Sequence, residues 1–240
     1  MFSAAKRHMV YRIANAPVLA YPFPHLLVHD LFPRDFYARI QAMLPPEDEY
    51  VPLKSTGRVG AGYSPRRLSM FADRTRDGSM EPARAEFWRA VFDMMMETEL
   101  GNWMMAKFYD VIAPRFGLDN PAQNVELRPE TFLMRDLDSY SLGPHTDSPS
   151  KVVSVLIYLP ANADRADLGT SLYAPLDPGF TCQGGPHHPF ENFERIVSMP
   201  YVPNTLFAFP KTRSCFHGVE HVEGADARRD ILFFDLRLPN

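Results

Sequence analysis

The sequence predicts an α+β fold, mainly β, with helices in the first half supporting a sandwich or barrel of short strands in the second half. Apolar residues recur at spacings of three and four residues in the first half, whereas short β-branched and apolar runs follow Val125. The chain has 23 prolines but only 13 glycines. Frequent prolines indicate many short connections, which favours this fold over a helical bundle.

Helices are predicted in two stretches. Pro33 is suited to a first helical turn, and Phe36 and Ile40 after it fall on one face of a helix. Residues 81–116 form the longer helical region, which we expect to be interrupted near Gly101. These helices should pack on one face of the strands that follow.

Short strands separated by turn residues account for most of the second half. Residues 1–24 are interpreted as a strand or arm. Residues 50–80, which are basic and contain glycines, are interpreted as a long solvated loop that could alternatively cover a substrate. The predicted strands cover residues 25–28, 125–127, 131–135, 151–159, 169–173, 194–201, 205–209 and 229–238.

Composition excludes several classes of function. We expect residues 1–240 to form one domain, with helical support mainly in 30–120 and the β core mainly in 125–238. The net charge of −4 and scattered basic residues argue against a nucleic-acid partner. No uninterrupted apolar run follows the basic residues near the start, so we expect neither a signal peptide nor a membrane span, and two cysteines, Cys182 and Cys215, do not make a disulfide framework. A cytoplasmic protein with reduced thiols is therefore expected.

The residues around His145 carry the strongest functional signal. In an extended strand, the side chains of His145 and Asp147 project to the same side, where they can hold one divalent metal. His217 is the candidate third ligand, and His221 shares its strand parity and competes for that role. A metal bound by two histidines and one carboxylate is typical of non-heme Fe(II) oxygenases. The alternative interpretation is an ordinary hydrogen-bonded His–Asp pair.

Further motifs surround these three residues. The chain resembles the Fe(II)/2-oxoglutarate-dependent dioxygenases, in the branch of the prolyl 4-hydroxylase-like enzymes, from about Tyr140 to Asp235. An H-x-D motif alone is weak, but a histidine about seventy residues on and an arginine about ten beyond it make the signal specific. The resemblance rests on Tyr140-Ser-Leu-Gly-Pro-His-Thr-Asp147, Gly169-Thr170, Pro203-Asn-Thr-Leu206, Phe216-His-Gly-Val219 and Arg228.

The resemblance implies a double-stranded β-helix, or jelly roll, with Fe(II) held by His145, Asp147 and His217. It also implies that 2-oxoglutarate chelates the metal while Arg228 binds the distal carboxylate and Tyr140 lines the co-substrate pocket. The Arg-x-Ser pattern common in such enzymes is replaced here by Arg228-Arg229-Asp230. Either Asp230 supports Arg228, or Arg229 is the true anchor; the expected register favours Arg228.

The implied activity is hydroxylation of a C–H bond with O₂ and 2-oxoglutarate, releasing succinate and CO₂, with ascorbate as a possible reductant. Asp147 favours hydroxylation or another oxidation over halogenation, because related halogenases replace this carboxylate by a small residue. A small-molecule substrate is the leading hypothesis. The alternatives are hydroxylation of a protein side chain and a jelly-roll binding protein without catalysis, which would be expected to lack a ligand.

Overall fold

The computed structural model describes residues 1–59, 64–118, 125–137, 140–224 and 227–239. Helices dominate its first half. None of the helices in these ranges is long and apolar enough to cross a membrane. The α-helices are α1 (Phe2–Asn15), α2 (Arg34–Ala42), α3 (Pro82–Met96), α4 (Thr98–Lys107) and α5 (Tyr109–Phe116).

The strands form two antiparallel sheets. Seven strands make the large sheet, in the order β1-β9-β6-β11-β4-β3-β2, and four make the small sheet, in the order β5-β10-β7-β8. The strands are β1 (Leu26–Val28), β2 (Val51–Pro52), β3 (Arg67–Phe71), β4 (Arg128–Leu137), β5 (Leu142–His145), β6 (Lys151–Tyr158), β7 (Thr170–Pro175), β8 (Phe193–Met199), β9 (Thr205–Pro210), β10 (His217–Val219) and β11 (Arg228–Arg237).

Side-chain alternation gives the large sheet two buried faces. Leu232 and Phe234 of β11 join a core shared with the helices, including Trp88 of α3. Ile231 and Phe233 point the other way, into a core shared with the small sheet. The two sheets therefore form a jelly roll with helices behind one of them, which confirms the predicted α+β, mainly β, fold. That residues 1–240 make one domain stays a prediction.

The N-terminal segment differs from its predicted strand or arm, because residues 2–15 form helix α1. Ala5, Met9 and Ile13, spaced four residues apart, are the buried stripe that packs against α3 and α4. Two of these three side chains are small or flexible, and polar residues lie between them. The pattern is weak in the sequence, and tertiary packing stabilises the helix.

The predicted interruption at Gly101 is also wrong, since Gly101 lies inside α4 and the helices separate at Glu97. The start of the region agrees with the prediction: Glu81 accepts hydrogen bonds from the backbone of Ala83 and Arg84, a typical N-cap arrangement. The indole of Trp88 donates a 2.6 Å hydrogen bond to the carbonyl of Met43. This contact ties α3 to the end of α2.

Residues 50–80 are not one solvated loop. Arg67–Phe71 is strand β3, paired with β4 in the large sheet, and its residues through Met70 are buried. Residues 60–63, which also fall in the predicted loop, lie outside the described ranges. The prediction failed because a five-residue strand has little periodicity of its own, and β3 is stabilised by its pairing with β4.

Candidate metal centre and cavity

Strands β5 and β10 bring the predicted metal ligands together. His145 ends β5 and lies directly opposite His217, the first residue of β10, while Asp147 follows two residues after His145. One donor atom from each of the three residues lies within 4.8 Å of the others. Their exposed fractions are 8%, 9% and 7% in the order His145, Asp147 and His217. His221, the competing histidine, is exposed and outside this group.

Gly218 allows the two strands to approach closely at this point. A Cβ atom on Gly218 would lie 2.5 Å from the carbonyl oxygen of Leu142. Any side chain would therefore push β10 away from β5 and separate the two histidines. The glycine in the Phe216-His217-Gly218 motif has this steric reason.

Both histidines are held in the tautomer that a metal requires. Nδ1 of His145 lies 3.0 Å from the carbonyl oxygen of Gly143, and Nδ1 of His217 lies 3.0 Å from that of Cys215. A carbonyl only accepts, so each Nδ1 carries the proton and each Nε2 keeps its lone pair. Burial lowers the pKa of both imidazoles, and for His145 the proximity of His217 lowers it further. Both rings are therefore held neutral.

Asp147 provides the negative charge of the group. Ser154 of β6 donates a 2.6 Å hydrogen bond to its Oδ2, and the Lys151 ammonium lies 3.2 Å from its Oδ1. Burial alone would favour the neutral acid, but Lys151 and the two imidazoles together hold the pKa of Asp147 well below its ordinary value. The carboxylate is therefore ionised. Two neutral imidazoles and one carboxylate in reach of one point fit a divalent iron.

The three residues line a cavity of about 360 Å³ between the sheets. Its floor is an aromatic row across the large sheet: Phe71 and Phe132 have ring centroids 4.9 Å apart, and Phe132 stacks on Phe233 at 5.2 Å. His187 is exposed but lies at the rim, with its ring centroid 4.7 Å from that of His145. The cavity thus has a polar roof and an apolar floor.

One end of the cavity holds Arg67 and Arg229, here called the inner arginine pair. The two side chains share Asp136: Arg229 donates from Nη1 to Oδ2 at 2.7 Å, and Nε of Arg67 lies 3.5 Å from Oδ1. Arg229 is 1% exposed and also donates to the carbonyl of Leu168 and the hydroxyl of Thr170. The pair occupies one row across β3, β4 and β11, since Asp136 lies opposite both arginines.

Arg58 and Arg237 also line the cavity, and are here called the outer arginine pair. They share Glu130: Nη1 of Arg58 lies 2.5 Å from Oε1, and Nε of Arg237 lies 3.3 Å from Oε2. Their side chains are 44% and 32% exposed. Each arginine pair therefore consists of two guanidinium groups on the opposite oxygens of one carboxylate of β4.

The side chain of Arg228 lies on the face of β11 that points away from the cavity, and its predicted role in binding a co-substrate stays a prediction. The side chain is 46% exposed, pairs with Asp230 and is outside the described cavity lining. Asp230 in turn accepts a 2.7 Å hydrogen bond from Arg135. The register of β11 against β4 puts Arg229, not Arg228, on the cavity side, which is the alternative that the Arg228-Arg229-Asp230 sequence left open.

Tyr140 lies behind the inner arginine pair rather than on the cavity surface. The Arg67 guanidinium is 4.8 Å from the centroid of its ring, and the ring is buried. Its hydroxyl has no hydrogen-bond partner within the described part of the chain. Its predicted role in binding a co-substrate stays a prediction.

The sequence analysis did not identify Arg67 and Thr170 as residues at the inner end of the cavity, nor Tyr158 as a hydrogen-bond partner of Thr170. The Tyr158 hydroxyl donates a 2.8 Å hydrogen bond to Thr170, whose oxygen also accepts from Arg229 at 2.9 Å. Thr170 is part of the Gly169-Thr170 motif. The motif indicated that this position belongs to the family pattern, but it did not predict the contact with Arg229. No sequence signal marked Arg67, because it lies in the segment interpreted as a loop.

Among known proteins, similarity to this chain is found in solved structures and not in sequence. No protein-family model matches the chain, and no curated protein matches it significantly. Among solved structures, a Trichoplax adhaerens prolyl hydroxylase in complex with a hypoxia inducible factor peptide fragment is similar, with a TM-score of 0.53 and 12% identity. The match covers 97% of this chain and 88% of that one. The fold is that of the prolyl hydroxylases.

Two further structures have the same fold. A Phytophthora capsici prolyl 4-hydroxylase has a TM-score of 0.52 and 13% identity, covering 99% of this chain and 65% of that one. The non-heme α-ketoglutarate-dependent epimerase SnoN from nogalamycin biosynthesis has a TM-score of 0.54 and 10% identity, covering 97% and 83%. The resemblance inferred from the motifs therefore agrees with the fold of these two prolyl hydroxylases and of this epimerase.

Proposed function

We propose that this protein is a non-heme Fe(II)- and 2-oxoglutarate-dependent oxygenase that oxidises a C–H bond of a small molecule, most simply by hydroxylation. The carrying observation is the His145, Asp147 and His217 group, in which both Nε2 lone pairs and an ionised carboxylate converge. Such a facial triad leaves the remaining metal positions for ligands other than protein side chains.

The three residues would hold Fe(II), and the protein prepares their geometry. The Gly143 and Cys215 carbonyls fix the two rings, and Ser154 fixes the orientation of the Asp147 carboxylate. Such supporting hydrogen bonds orient metal ligands before the ion arrives. When bound, iron and 2-oxoglutarate supply the oxidation of a C–H bond by O₂, with release of succinate and CO₂. Ascorbate would serve as an external reductant.

The inner arginine pair supports binding of the distal carboxylate of 2-oxoglutarate. Of the five N–H groups of Arg229, three donate to Leu168, Asp136 and Thr170, so two remain. The Thr170 oxygen accepts from Tyr158 and Arg229, so its own O–H is free to donate. Two guanidinium groups on one carboxylate leave one positive charge. These donors suit a dicarboxylate whose other end chelates the metal.

The volume of the cavity favours a small substrate. About 360 Å³ lies between the two sheets, and this volume is at the lower end for small-molecule sites. The Trichoplax prolyl hydroxylase is in complex with a peptide fragment. A protein side chain is therefore the alternative substrate, and hydroxylation of a peptide in place of any free small molecule would favour it.

The first test measures succinate formed from 2-oxoglutarate by the purified protein with Fe(II) and ascorbate under air. We expect slow uncoupled turnover in the wild type and background levels in His217→Ala and Asp147→Ala. His221→Ala is the matched control, because His221 lies four residues from His217, is exposed and is outside the ligand group. It should retain the wild-type rate.

Binding of Mn(II), measured by calorimetry, gives a readout without turnover. We expect His217→Ala and Asp147→Ala to lose it, while thermal melting confirms that each variant is folded. Wild-type protein that binds neither Mn(II) nor Fe(II) would exclude the proposal. Protein that binds the metal and 2-oxoglutarate without producing succinate, even with candidate substrates, would favour the non-catalytic binding protein.

A further inference from the structure

The outer arginine pair resembles the inner one in design but differs in accessibility. In both pairs, a carboxylate of β4 holds two guanidinium groups through its opposite oxygens. Asp136 and its partners are buried, whereas Arg58 and Arg237 keep 44% and 32% of their side chains exposed while lining the same cavity. A ligand that enters the cavity can therefore contact the outer pair without unfolding any part of it.

The charges at the outer end leave one cation in excess once a metal occupies the triad. Lys151 lies 3.1 Å from Asp235, which is fully buried, and it is the nearest cation to that carboxylate. The Nη2 atom of Arg237 is farther from Asp235, at 3.6 Å. With Asp147 coordinating the metal, Lys151 and Asp235 balance each other. Glu130 then faces Arg58 and Arg237 together.

Arg58 is held in place by more than its ion pair. Its guanidinium lies 4.0 Å from the centroid of the Phe71 ring, close enough for a cation–π contact. Arg237 is fixed by Glu130 and by a 3.3 Å hydrogen bond to the Ser150 hydroxyl. Ordered guanidinium groups lose little entropy when they bind an anion, and they can bind carboxylate or phosphate oxygens in a bidentate manner.

The two pairs lie at opposite ends of the aromatic floor. Glu130 and Asp136 are six residues apart on β4, which corresponds to about 20 Å along an extended strand. Phe132 and Met134, which lie between them, line the cavity. Asp147 is tied through Ser154 to the row of Asp235, since Ser154 lies opposite Asp235 in the sheet. Ser154 therefore connects the candidate ligand Asp147 to the row of the large sheet that contains Asp235.

We infer that the outer arginine pair binds an anionic group, a carboxylate or a phosphate, of the primary substrate, whose apolar segment then lies on the aromatic floor beside the metal centre. The reaction at that segment rests on the proposed function, but the binding does not. The substrate class is therefore a small organic anion with an aliphatic portion, and the inner pair remains available for 2-oxoglutarate.

The test compares hexanoate and hexyl phosphate with uncharged hexanol, as ligands of protein loaded with Mn(II) and 2-oxoglutarate. Loading fills the inner pair, so binding there does not confuse the result. Calorimetry should show at least one anion binding about tenfold or more tightly than hexanol. The carboxylate and the phosphate distinguish which anionic group is preferred.

The decisive variant is Arg58→Gln combined with Arg237→Gln. It should bind the preferred anion about 10- to 100-fold more weakly, because charge-assisted hydrogen bonds are lost, while hexanol binding is unchanged. Arg195→Gln is the matched control, since Arg195 forms an exposed ion pair with Glu220 outside the cavity. Arg195→Gln should leave uncoupled succinate formation near the wild-type rate, and thermal melting checks that both variants are folded.

Equal binding of anions and hexanol, or an anion preference that survives in the double variant, would overturn the inference. Binding of acidic peptides without binding of either small anion would overturn it as well. Succinate formation without an anion preference would leave the proposed function intact and remove only this inference. An anion preference that depends on Arg58 and Arg237, in protein that forms no succinate, would support this inference and contradict the proposed function.

Discussion

The inner and outer arginine pairs use the same three charged groups in different surroundings. Arg67, Arg229 and Asp136 are nearly excluded from solvent, so removing any member leaves a buried charge without its partner. Arg58, Arg237 and Glu130 remain partly solvated, so water can replace a missing partner. Burial therefore makes the inner pair important for the stability of the fold. The outer pair contributes less to stability, and its partly exposed guanidinium groups are accessible to a ligand.

The largest difference is expected in stability. Asp136→Ala should lower the free energy of unfolding by about 3–5 kcal/mol, because two buried guanidinium groups lose their carboxylate. Glu130→Ala should lower it by less than about 1 kcal/mol, as is usual for partly exposed ion pairs. Urea denaturation followed by circular dichroism measures both. Equal losses in the two variants would show that burial does not distinguish the pairs.

The next effect concerns the choice between neighbouring arginines. Arg229→Lys should raise the KM for 2-oxoglutarate about 10- to 100-fold, since lysine keeps the charge but loses the planar set of donors. Arg228→Lys should change it less than about twofold, because Arg228 lies on the other face of β11.

Succinate formation at varied 2-oxoglutarate concentration measures this KM, and thermal melting checks the folding of each variant. A larger KM increase in Arg228→Lys than in Arg229→Lys would contradict the position of Arg229 at the inner end. A change in kcat alone would place Arg229 in a role other than co-substrate binding.

The smallest effect is the response to salt. Raising the ionic strength from about 0.05 M to about 0.5 M should weaken anion binding at the outer pair several-fold, because exposed charges are screened. The KM for 2-oxoglutarate should change less than about twofold, since the inner pair is buried. Titrations at several KCl concentrations give both slopes, and a steeper slope for 2-oxoglutarate would reverse the assignment of the two ends.

Local sequence determined the candidate metal ligands and the broad fold. His145 and Asp147 are two residues apart, so their common direction follows from strand geometry alone. The Phe216-His217-Gly218 motif identified His217 because its glycine permits the close approach of β10 to β5. The β-branched run of β6 and the helical spacing in 81–116 indicated their elements, because both have strong periodicity of their own.

Only the tertiary structure decided which arginine reaches the cavity and which residues surround it. Arg228 and Arg229 are adjacent, and a shift of one residue in register exchanges their faces, so the choice rests on the pairing of β11 with β4. Arg67 and helix α1 lie in segments with weak patterns that are stabilised by contacts with distant parts of the chain. Local residue patterns determine the secondary structure that a segment prefers. Strand register and long-range packing depend on contacts between segments that are distant in the sequence.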